Sequence, residues 1–412
     1  MSGPSLAGRR VALLFPAWHS CGTYRVVLGQ IDTYRALGAE ITPIAVSIDP
    51  GFVPDRRWIW KSFFSATSEL DASPRHFGGA PLHVLFEPGF FSRIVWPYLH
   101  GDQAAIRLGL AERAVLSPGL EERDYDLVHC NHFFLMPVAL RLARGRGPIL
   151  LDSHDLQARQ FDLINKRMPW LPPRVTYDAM LAQELEAMRG ADLLLHLNAQ
   201  EAEEFSRLLP DKRHALLYPP TPPAPAGPGG EDIVIVSSNN TGNVESLIWF
   251  LREVAPKAPG VKVRIAGNVD AGVKARAHAE YNAYRDWFLG RVDDPAAIYA
   301  GARLVLLPTI SGTGLSIKTV EALSSGLPII ATPQALRGMD AEVFSLSNVT
   351  VAESAEAFAS ALRAAAASGD SRPVTSPSRA YYDKRFSLTA YQNEIACLTA
   401  PLLARGQKAS SI

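Results

Sequence analysis

The chain has 412 residues, of which 47% are hydrophobic and 20% charged, and its 41 basic side chains balance its 41 acidic ones. This length is too great for one ordinary core and predicts two domains. A protein that holds polyanions is usually basic, so the zero net charge argues against non-specific nucleic-acid binding.

Cysteine use and hydropathy point to a reducing, cytoplasmic protein. The cysteines Cys21, Cys130 and Cys397 are far apart and form no CxxC or Cys/His zinc pattern, so we expect no metal site. The apolar run Val11 to Ala17 is too short for a signal peptide. No run of about 18 apolar residues predicts a membrane span, which leaves contact with the inner face of a membrane open.

Short Val/Ile/Leu runs alternate with helical segments along the chain. Such continuous apolar runs are typical of parallel strands covered on both faces, and their alternation with helices predicts an α/β fold of doubly wound domains. The predicted strands of the first half are Arg10–Phe15, Ile41–Ile48, Leu82–Phe86, Asp126–Cys130, Pro148–Ser153, Asp192–Leu197 and Ala215–Tyr218. Those of the second half are Asp232–Ser237, Val261–Ala266, Arg303–Leu307 and Leu327–Ala331.

A Pro/Gly-rich stretch at 218–231, YPPTPPAPAGPGGE, separates these two series of strands. It cannot form a helix or a central strand, so we predict a linker between an N-terminal Rossmann-like domain at 1–217 and a C-terminal one at 232–385. The helical spacing of 386–403 leaves open whether this segment packs back on the N-terminal domain. Ligands of such domains bind beyond the carboxyl ends of the strands, so site residues should follow strands.

The richest motif is the stretch 311–333, SGTGLSIKTVEALSSGLPIIATP, which follows a predicted strand. A Gly-rich turn there precedes a helix predicted from about Leu315 to Ser325, with Thr313 or Ser316 as its cap. Free N–H groups at a helix N-terminus bind phosphate. Glu321 can accept two hydrogen bonds from a ribose diol, and Lys318, on the same face, can supply charge to a diphosphate. From the residues alone, an ordinary βαβ unit with Lys318 and Glu321 as a surface pair stays equally open.

This stretch resembles the nucleotide-sugar signature of glycosyltransferases with the GT-B fold, in particular family 4, the glycosyl transferases group 1, which commonly reads GTGxxxKxxEAxxxGxPVVAT. The resemblance implies two Rossmann-like domains facing each other across a cleft. It implies Glu321 on the donor ribose and the turn facing the diphosphate and the donor sugar. Many members carry a glutamate where this chain has Thr313. The donor-binding candidates in this motif are Gly312, Thr313, Gly314, Leu315, Lys318 and Glu321.

The resemblance extends to two segments of the first half. His154, in the stretch DSHD, matches a histidine that faces the donor sugar in family members, while a helix-capping or structural histidine is the alternative. Near the N-terminus, Gly22, Thr23 and Arg25 match a loop between donor and acceptor and are candidates for contacting phosphate or acceptor. A lone glycine in a βα turn leaves a purely structural loop as the alternative there.

Two further donor contacts are implied in the second half. Asn239 and Asn240 lie in the loop where family 4 enzymes carry an arginine and a lysine for the diphosphate. Neither cation is present here, so the positive charge must come from Lys318 or Arg337. Val292 matches a residue of the loop that lines the nucleobase, with simple packing as the alternative.

Aromatic clusters in the first half are candidates for an acceptor or membrane contact, with burial in the core as the alternative. One cluster is basic as well as aromatic and spans 56–64. The other comprises Phe90, Phe91, Trp96 and Tyr98.

The resemblance implies transfer of a sugar from a UDP- or GDP-sugar to a hydroxyl acceptor, such as a glycan or lipid-linked glycan. It implies retention of configuration and no metal or other cofactor. Fixed N–H donors would stabilise the departing diphosphate, with His154 and Glu321 as the catalytic candidates. Two alternatives stay open. One is a sugar-nucleotide epimerase, for which no acid/base constellation is evident. The other is an inactive GT-B domain that binds a partner, which Thr313 and the missing cations favour.

Overall fold

The computed structural model describes residues 5–18, 22–46, 48, 71–72, 76–77, 80–81, 86–114, 116–117, 119–168, 170–224, 230–292, 295–312, 314–368 and 376–409. The chain divides into two compact units. The first comprises Met1–Leu197, Glu201–Pro219 and Tyr391–Ile412, and the second comprises Asn198–Gln200 and Pro220–Ala390. The predicted basic and aromatic segment 56–64 and most of the predicted strand 82–86 lie outside the described residues.

The first unit is built on a seven-stranded parallel sheet with the order β3-β2-β1-β6-β7-β8-β9. The chain winds outward from β1 in one direction and from β6 in the other, so the switch point of the sheet lies between these two strands. The strands are β1 (Arg10–Pro16), β2 (Glu40–Val46), β3 (Asp71–Ala72), β6 (Leu127–Asn131), β7 (Ile149–Asp152), β8 (Leu193–His196) and β9 (His214–Leu216). A separate antiparallel pair consists of β4 (His76–Phe77) and β5 (Ala80–Pro81).

Helices cover both faces of this sheet, as its fully buried central strands require. They span Gly22–Ala36, Trp96–Leu99, Gln103–Glu112, Met136–Ala143, Gln157–Asn165, Tyr177–Met188 and Ala199–Leu208. The last helix of the chain, Leu388–Ala409, packs onto the first unit from Tyr391 onward. Its Tyr391, Ile395 and Leu402 share one apolar cluster with Tyr34 and with strand residues of β6 to β8.

The second unit contains a six-stranded parallel sheet with the order β12-β11-β10-β13-β14-β15, whose switch point lies between β10 and β13. The predicted α/β class with doubly wound sheets is therefore confirmed for both units. The strands are β10 (Asp232–Val236), β11 (Arg264–Ala266), β12 (Phe288–Gly290), β13 (Ala302–Leu307), β14 (Ile329–Ala331) and β15 (Val349–Val351). The helices are Thr241–Trp249, Val269–Arg276, His278–Ala283, Pro295–Ala300, Ile317–Ser325, Ala355–Ala367 and Pro377–Arg385.

A relay of polar side chains, of which Ser153 and His196 are buried, joins the end of β7 to β8 and β9. Nε2 of His214 donates to the Leu209 carbonyl (2.9 Å), so its Nδ1 accepts from Nε2 of His196 (2.9 Å). Nδ1 of His196 then accepts from the Ser153 hydroxyl (3.0 Å). Burial, followed by the nearby His214, lowers the pKa of His196 from 6.5 to about 3, so this ring is neutral in the folded protein.

The relay predicts a loss of stability in acid. Between its ordinary pKa of 6.5 and its folded pKa of about 3, His196 binds more protons in the unfolded chain, so stability falls as the pH falls below 6.5. We expect this group to contribute a loss of up to about 2 kcal/mol between about pH 7 and pH 5. The His196→Gln variant should flatten that slope when thermal unfolding is followed against pH. An unchanged slope would show that His196 is not buried as a neutral ring.

Candidate functional site

A pocket of the second unit lies at the carboxyl ends of β10 and β13, the two strands of the switch point. Doubly wound sheets bind ligands in this crevice, because loops from neighbouring strands diverge there and leave backbone groups exposed. The lining residues are Ile235, Val236, Ser237, Asn243, Ser246, Leu247, Leu306, Leu307, Pro308, Thr309, Ser316, Lys318 and Arg337.

The Gly-rich turn beside this pocket requires glycine. Gly312 and Gly314 have φ angles of 131° and 63°, which L side chains rarely adopt. A Cβ atom on Gly312 would also lie 2.8 Å from Nη2 of Arg337. Gln334 fixes the turn by donating from Nε2 to the Gly312 carbonyl (2.8 Å). Thr313 lies outside the described residues.

The helix after the turn begins at Ile317, two residues later than predicted. Ser316 occupies the N-cap position, but its side chain makes no cap hydrogen bond, which contradicts its predicted capping role. The helix ends as predicted, because Gly326 follows it in the left-handed conformation with a φ of 71°. Leu315, one of the predicted donor-binding residues, lies against Gly338. A Cβ atom placed on Gly338 would be 3.4 Å from the Cα atom of Leu315.

Two cations converge on the pocket. Nζ of the half-buried Lys318 lies 3.5 Å from Oγ of Ser237, and burial lowers the pKa of Lys318 to about 8 while the Glu321 carboxylate raises it. Burial also lowers the pKa of Arg337. Glu321 further raises the pKa of the buried Tyr299, after the larger effect of burial. The pocket thus has the positive charge that the Asn239–Asn240 loop lacks.

The loop after β10 uses its asparagines to hold itself in place. Oδ1 of Asn240 caps the helix Thr241–Trp249 by accepting from the Asn243 amide (2.9 Å), and the Asn239 amide donates to Oδ1 of Asn268 (2.8 Å). Asn243, in the same loop, lines the pocket and donates to the Ser238 carbonyl (3.0 Å).

Val292 is half-buried and follows β12, the edge strand, rather than β10 or β13. The structure therefore places the residue expected at the nucleobase two strands away from the pocket. Its role at the base stays a prediction.

The electrostatic link between Glu321 and Lys318 is directly testable. We expect Glu321→Gln to lower the Lys318 pKa below about 8, because the variant removes the charge that opposes the effect of burial. NMR titration of dimethylated lysines measures the pKa of Lys318. The Lys318→Met variant assigns the signal, and Glu353→Gln, at an exposed position, is the control. A Lys318 pKa that does not change in Glu321→Gln would show that the two side chains do not interact.

In the first unit, two histidines occupy strained positions where β6 and β7 end. His132 and His154 have φ angles of 67° and 60°, a left-handed conformation that costs non-glycine residues on the order of 1–3 kcal/mol each. Their rings stack with centroids 4.2 Å apart and planes 13° apart. Such strain persists only where surrounding contacts impose it, and it concentrates at functional sites.

His154 does not cap the following helix. The amides of Gln157 and Ala158 donate instead to Oε1 (3.0 Å) and Oε2 (2.8 Å) of Glu184, a buried residue of the helix Tyr177–Met188. Burial raises the Glu184 pKa to about 7. Nε2 of His154 lies 2.8 Å from Oδ1 of Asn131, and burial lowers the His154 pKa to about 3. The capping alternative for His154 is therefore excluded, and a structural or sugar-binding role is left.

A network of polar side chains with no exposure lies beneath His154. Gln30 donates from Nε2 to Oδ2 of Asp152 (3.1 Å), and the Tyr34 hydroxyl lies 3.0 Å from Nδ1 of His129. Burial raises the Asp152 pKa to about 7, against hydrogen bonds from the His154 amide and Gln30 that lower it. The ends of β6 and β7 thus hold acid/base groups that sequence reasoning did not bring together, because they come from distant segments.

The candidates near the N-terminus separate in the structure. Oγ1 of Thr23 lies 3.3 Å from Nε2 of His132, which brings Thr23 to the histidine pair. Nδ1 of His132 is buried and has no hydrogen-bond partner within the described residues. Gly22 begins the helix Gly22–Ala36, and Arg25 is exposed on that helix. His132 was missed, although its place directly after the strand LVHCN was a usable signal.

Residues 230–368 match the family described as "Glycosyl transferases group 1". The Klebsiella pneumoniae protein named "Uncharacterized 44.6 kDa protein in cps region" is 26% identical over 99 residues, which are 22% of this chain and 26% of that protein. The match thus spans about a quarter of the relative's length.

Solved structures resemble the whole chain. HepE from Anabaena in complex with UDP has a TM-score of 0.59 and 14% identity, covering 95% of this chain and 100% of that one. Sucrose-phosphate synthase from Thermosynechococcus elongatus has a TM-score of 0.57 and 15% identity, covering 96% and 100%. An E. coli trehalose-6-phosphate protein bound with UDP-2-fluoro glucose has a TM-score of 0.58 and 13% identity, covering 96% and 99%.

The chain has the GT-B fold, and residues 230–368, in its second unit, match the glycosyl transferases group 1. The resemblance based on Gly312, Lys318 and Glu321 is thereby confirmed, while the roles of individual residues stay predictions. Within the described residues of this GT-B protein, no helix is both long and apolar enough to cross a membrane. The same part of the chain holds no group of three or more His, Cys, Asp or Glu side chains placed to bind a metal ion.

Proposed function

We propose that this protein is a glycosyltransferase that moves a sugar from a nucleoside-diphosphate sugar to a hydroxyl acceptor. The observation that carries the proposal is the pocket at the switch point of the second unit, where Lys318 and Arg337 converge beside the Gly312 turn. This pocket lies within the segment that matches the glycosyl transferases group 1. A diphosphate needs positive charge, which Lys318 and Arg337 provide here, and N–H donors, which we assign to the N-terminus of the helix Ile317–Ser325.

A UDP-sugar is the first donor to test. HepE was solved with UDP and with UDP-glucose, and the E. coli neighbour with UDP-2-fluoro glucose. In this proposal Glu321 accepts hydrogen bonds from the ribose hydroxyls of the donor. A GDP-sugar is the alternative within the same chemistry.

Loss of the sugar leaves additional negative charge on the diphosphate, and stabilising that charge lowers the barrier. Lys318, Arg337 and the amides at the N-terminus of the helix Ile317–Ser325 are the groups that we assign to this task. His154 contacts the transferred sugar in this proposal. Retention of the anomeric configuration and independence from metals and other cofactors are implied by the resemblance and belong to the same proposal.

Nucleotide binding tests the donor site directly. We expect UDP or GDP to raise the melting temperature, and Glu321→Ala to weaken binding by roughly 10-fold or more, because two hydrogen bonds to a charged group are lost. Isothermal titration calorimetry measures the dissociation constant, and the exposed Glu353→Ala serves as the matched control.

Failure of every nucleotide and nucleotide sugar to bind would favour an inactive, partner-binding GT-B domain. Epimerised donor or free sugar formed without an acceptor would favour the epimerase. Equal affinity of Glu321→Ala and wild type would remove Glu321 from the ribose contact.

We propose further that the acceptor is a glycan or lipid-linked glycan met at a membrane surface. Two neighbouring segments of the first unit expose apolar side chains. A hydrogen bond joins them, in which the Leu171 amide donates to the Leu99 carbonyl (3.1 Å). Arg93 and Arg167 are exposed in these segments, so an anionic headgroup surface fits the patch. The exposed apolar residues, with their exposed fractions, are Phe86 (85%), Phe91 (61%), Trp96 (59%), Leu99 (38%), Met168 (48%) and Leu171 (47%).

The aromatic cluster predicted from the sequence divides between core and surface. Phe90 is 3% exposed and packs with Ile94, Ile106 and Leu110, whereas Phe91 and Trp96 are exposed. Only the exposed members support the membrane proposal.

Vesicle binding tests this surface. We expect the protein to sediment with phosphatidylglycerol vesicles but not with phosphatidylcholine vesicles, and the double variant Phe91→Ser, Trp96→Ser to lose binding by about 10-fold. Phe344→Ser, which removes an aromatic residue of similar exposure (48%) from the second unit, is the control. Retained sedimentation of the double variant would exclude the patch.

A further inference from the structure

Asn131, the last residue of β6, has an amide whose orientation is fixed by its neighbours. Its Nδ2 donates to the Leu14 carbonyl (3.1 Å) and to Oε1 of Gln30 (2.9 Å). Gln30 itself is oriented, because its Nε2 donates to the Asp152 carboxylate (3.1 Å). A flipped Asn131 amide would place its oxygen against two acceptors, so Oδ1 of Asn131 faces His154.

This orientation determines the tautomer of His154. The Asn131 oxygen only accepts, so Nε2 of His154 carries the hydrogen of the 2.8 Å bond and Nδ1 of the neutral ring is an acceptor. We propose that Asn131 is a positioning residue that holds His154 in the Nε2–H tautomer, so that Nδ1 accepts a hydrogen bond from a hydroxyl of the transferred sugar. This inference rests on the proposed glycosyltransferase function.

A neutral acceptor suits glycosyl transfer. The transition state builds positive charge on the sugar ring, which an adjacent imidazolium would oppose and a neutral acceptor would not. Burial keeps the His154 pKa at about 3, so the ring stays neutral over the working range of pH. The Asn131 amide holds the ring without supplying the negative charge that would favour the imidazolium.

Other groups around the ring act on its charge. Oδ1 of Asp152 lies 4.0 Å from Nε2 of His154, and the His132 ring stacks on it. A carboxylate at 131 would add a second acid next to Asp152 and would raise the pKa of His154. The titratable and charged groups facing the site from β6, β7 and the packed helices are Asp152, Asp155, His129, His132, Tyr34, Tyr391 and Arg107.

The tautomer can be read in the wild-type protein without substrate. In histidine-selective 15N NMR we expect His154 to be neutral and protonated at Nε2 between about pH 5 and pH 8, with His154→Gln for assignment. A ring protonated at Nδ1, or at both nitrogens near neutral pH, would overturn the proposal. This measurement also stands if the protein transfers no sugar, so it separates the tautomer from the proposed function.

Variants then test the role of the tautomer in transfer. We expect Asn131→Asp to raise the pKa of His154 and to move the acid limb of the pH–rate profile to higher pH. The variant should lower kcat by about 10-fold or more and change the donor KM little. Asn131→Ala should lower kcat and mix the tautomers. Asn165→Asp, a buried asparagine bonded to the Gly101 carbonyl instead, is the control. A folded Asn131→Ala variant with the kcat of the wild type would disprove the positioning role. If neither variant folds, the 15N spectrum of His154 in the wild-type protein decides whether the ring is the Nε2–H tautomer.

Discussion

A strand covered on both faces by helices leaves no room for an unpaired polar group, and this constraint governs the first unit. Each of β6, β7 and β8 is buried along its whole length. Polar side chains on such strands are tolerated only when neighbours satisfy their hydrogen bonds. His129, Asn131 and Asp152 meet this condition through Gln30 and Tyr34, two residues of one helix. The acid/base groups at the ends of β6 and β7 are therefore held as a connected set.

The two units use one strand order for different chemistry. Both reverse direction beside their first strand, so both open a crevice where loops diverge. In the second unit this crevice is lined by the cationic side chains of Lys318 and Arg337. In the first unit the strands at and next to the reversal end in Asn131 and Asp152, whose side chains are oriented by hydrogen bonds with His154 and Gln30.

How far the sequence predicts this protein depends on the range of the contacts involved. The long apolar runs predicted β1, β6, β10 and β13. The glycines Gly312, Gly314 and Gly326 predicted a turn and a helix end, where the backbone has positive φ angles that favour glycine. The strands β3, β12 and β15, which have two or three residues and lie at the edges of their sheets, were not predicted. The bond between Gln30 and Asp152 joins residues 122 positions apart, and no local pattern marks it.

The left-handed positions show why the two sites differ in predictability. In the second unit they fall on glycines, which adopt them without strain and stand out in the sequence. After β6 and β7 in the first unit they fall on His132 and His154, where the strain must be offset by ring stacking and by the hydrogen bond between His154 and Asn131. Glycine at these two positions would relieve the backbone but remove both rings. The left-handed backbone at His132 and His154 is thus strained, and it positions the two rings where β6 and β7 end.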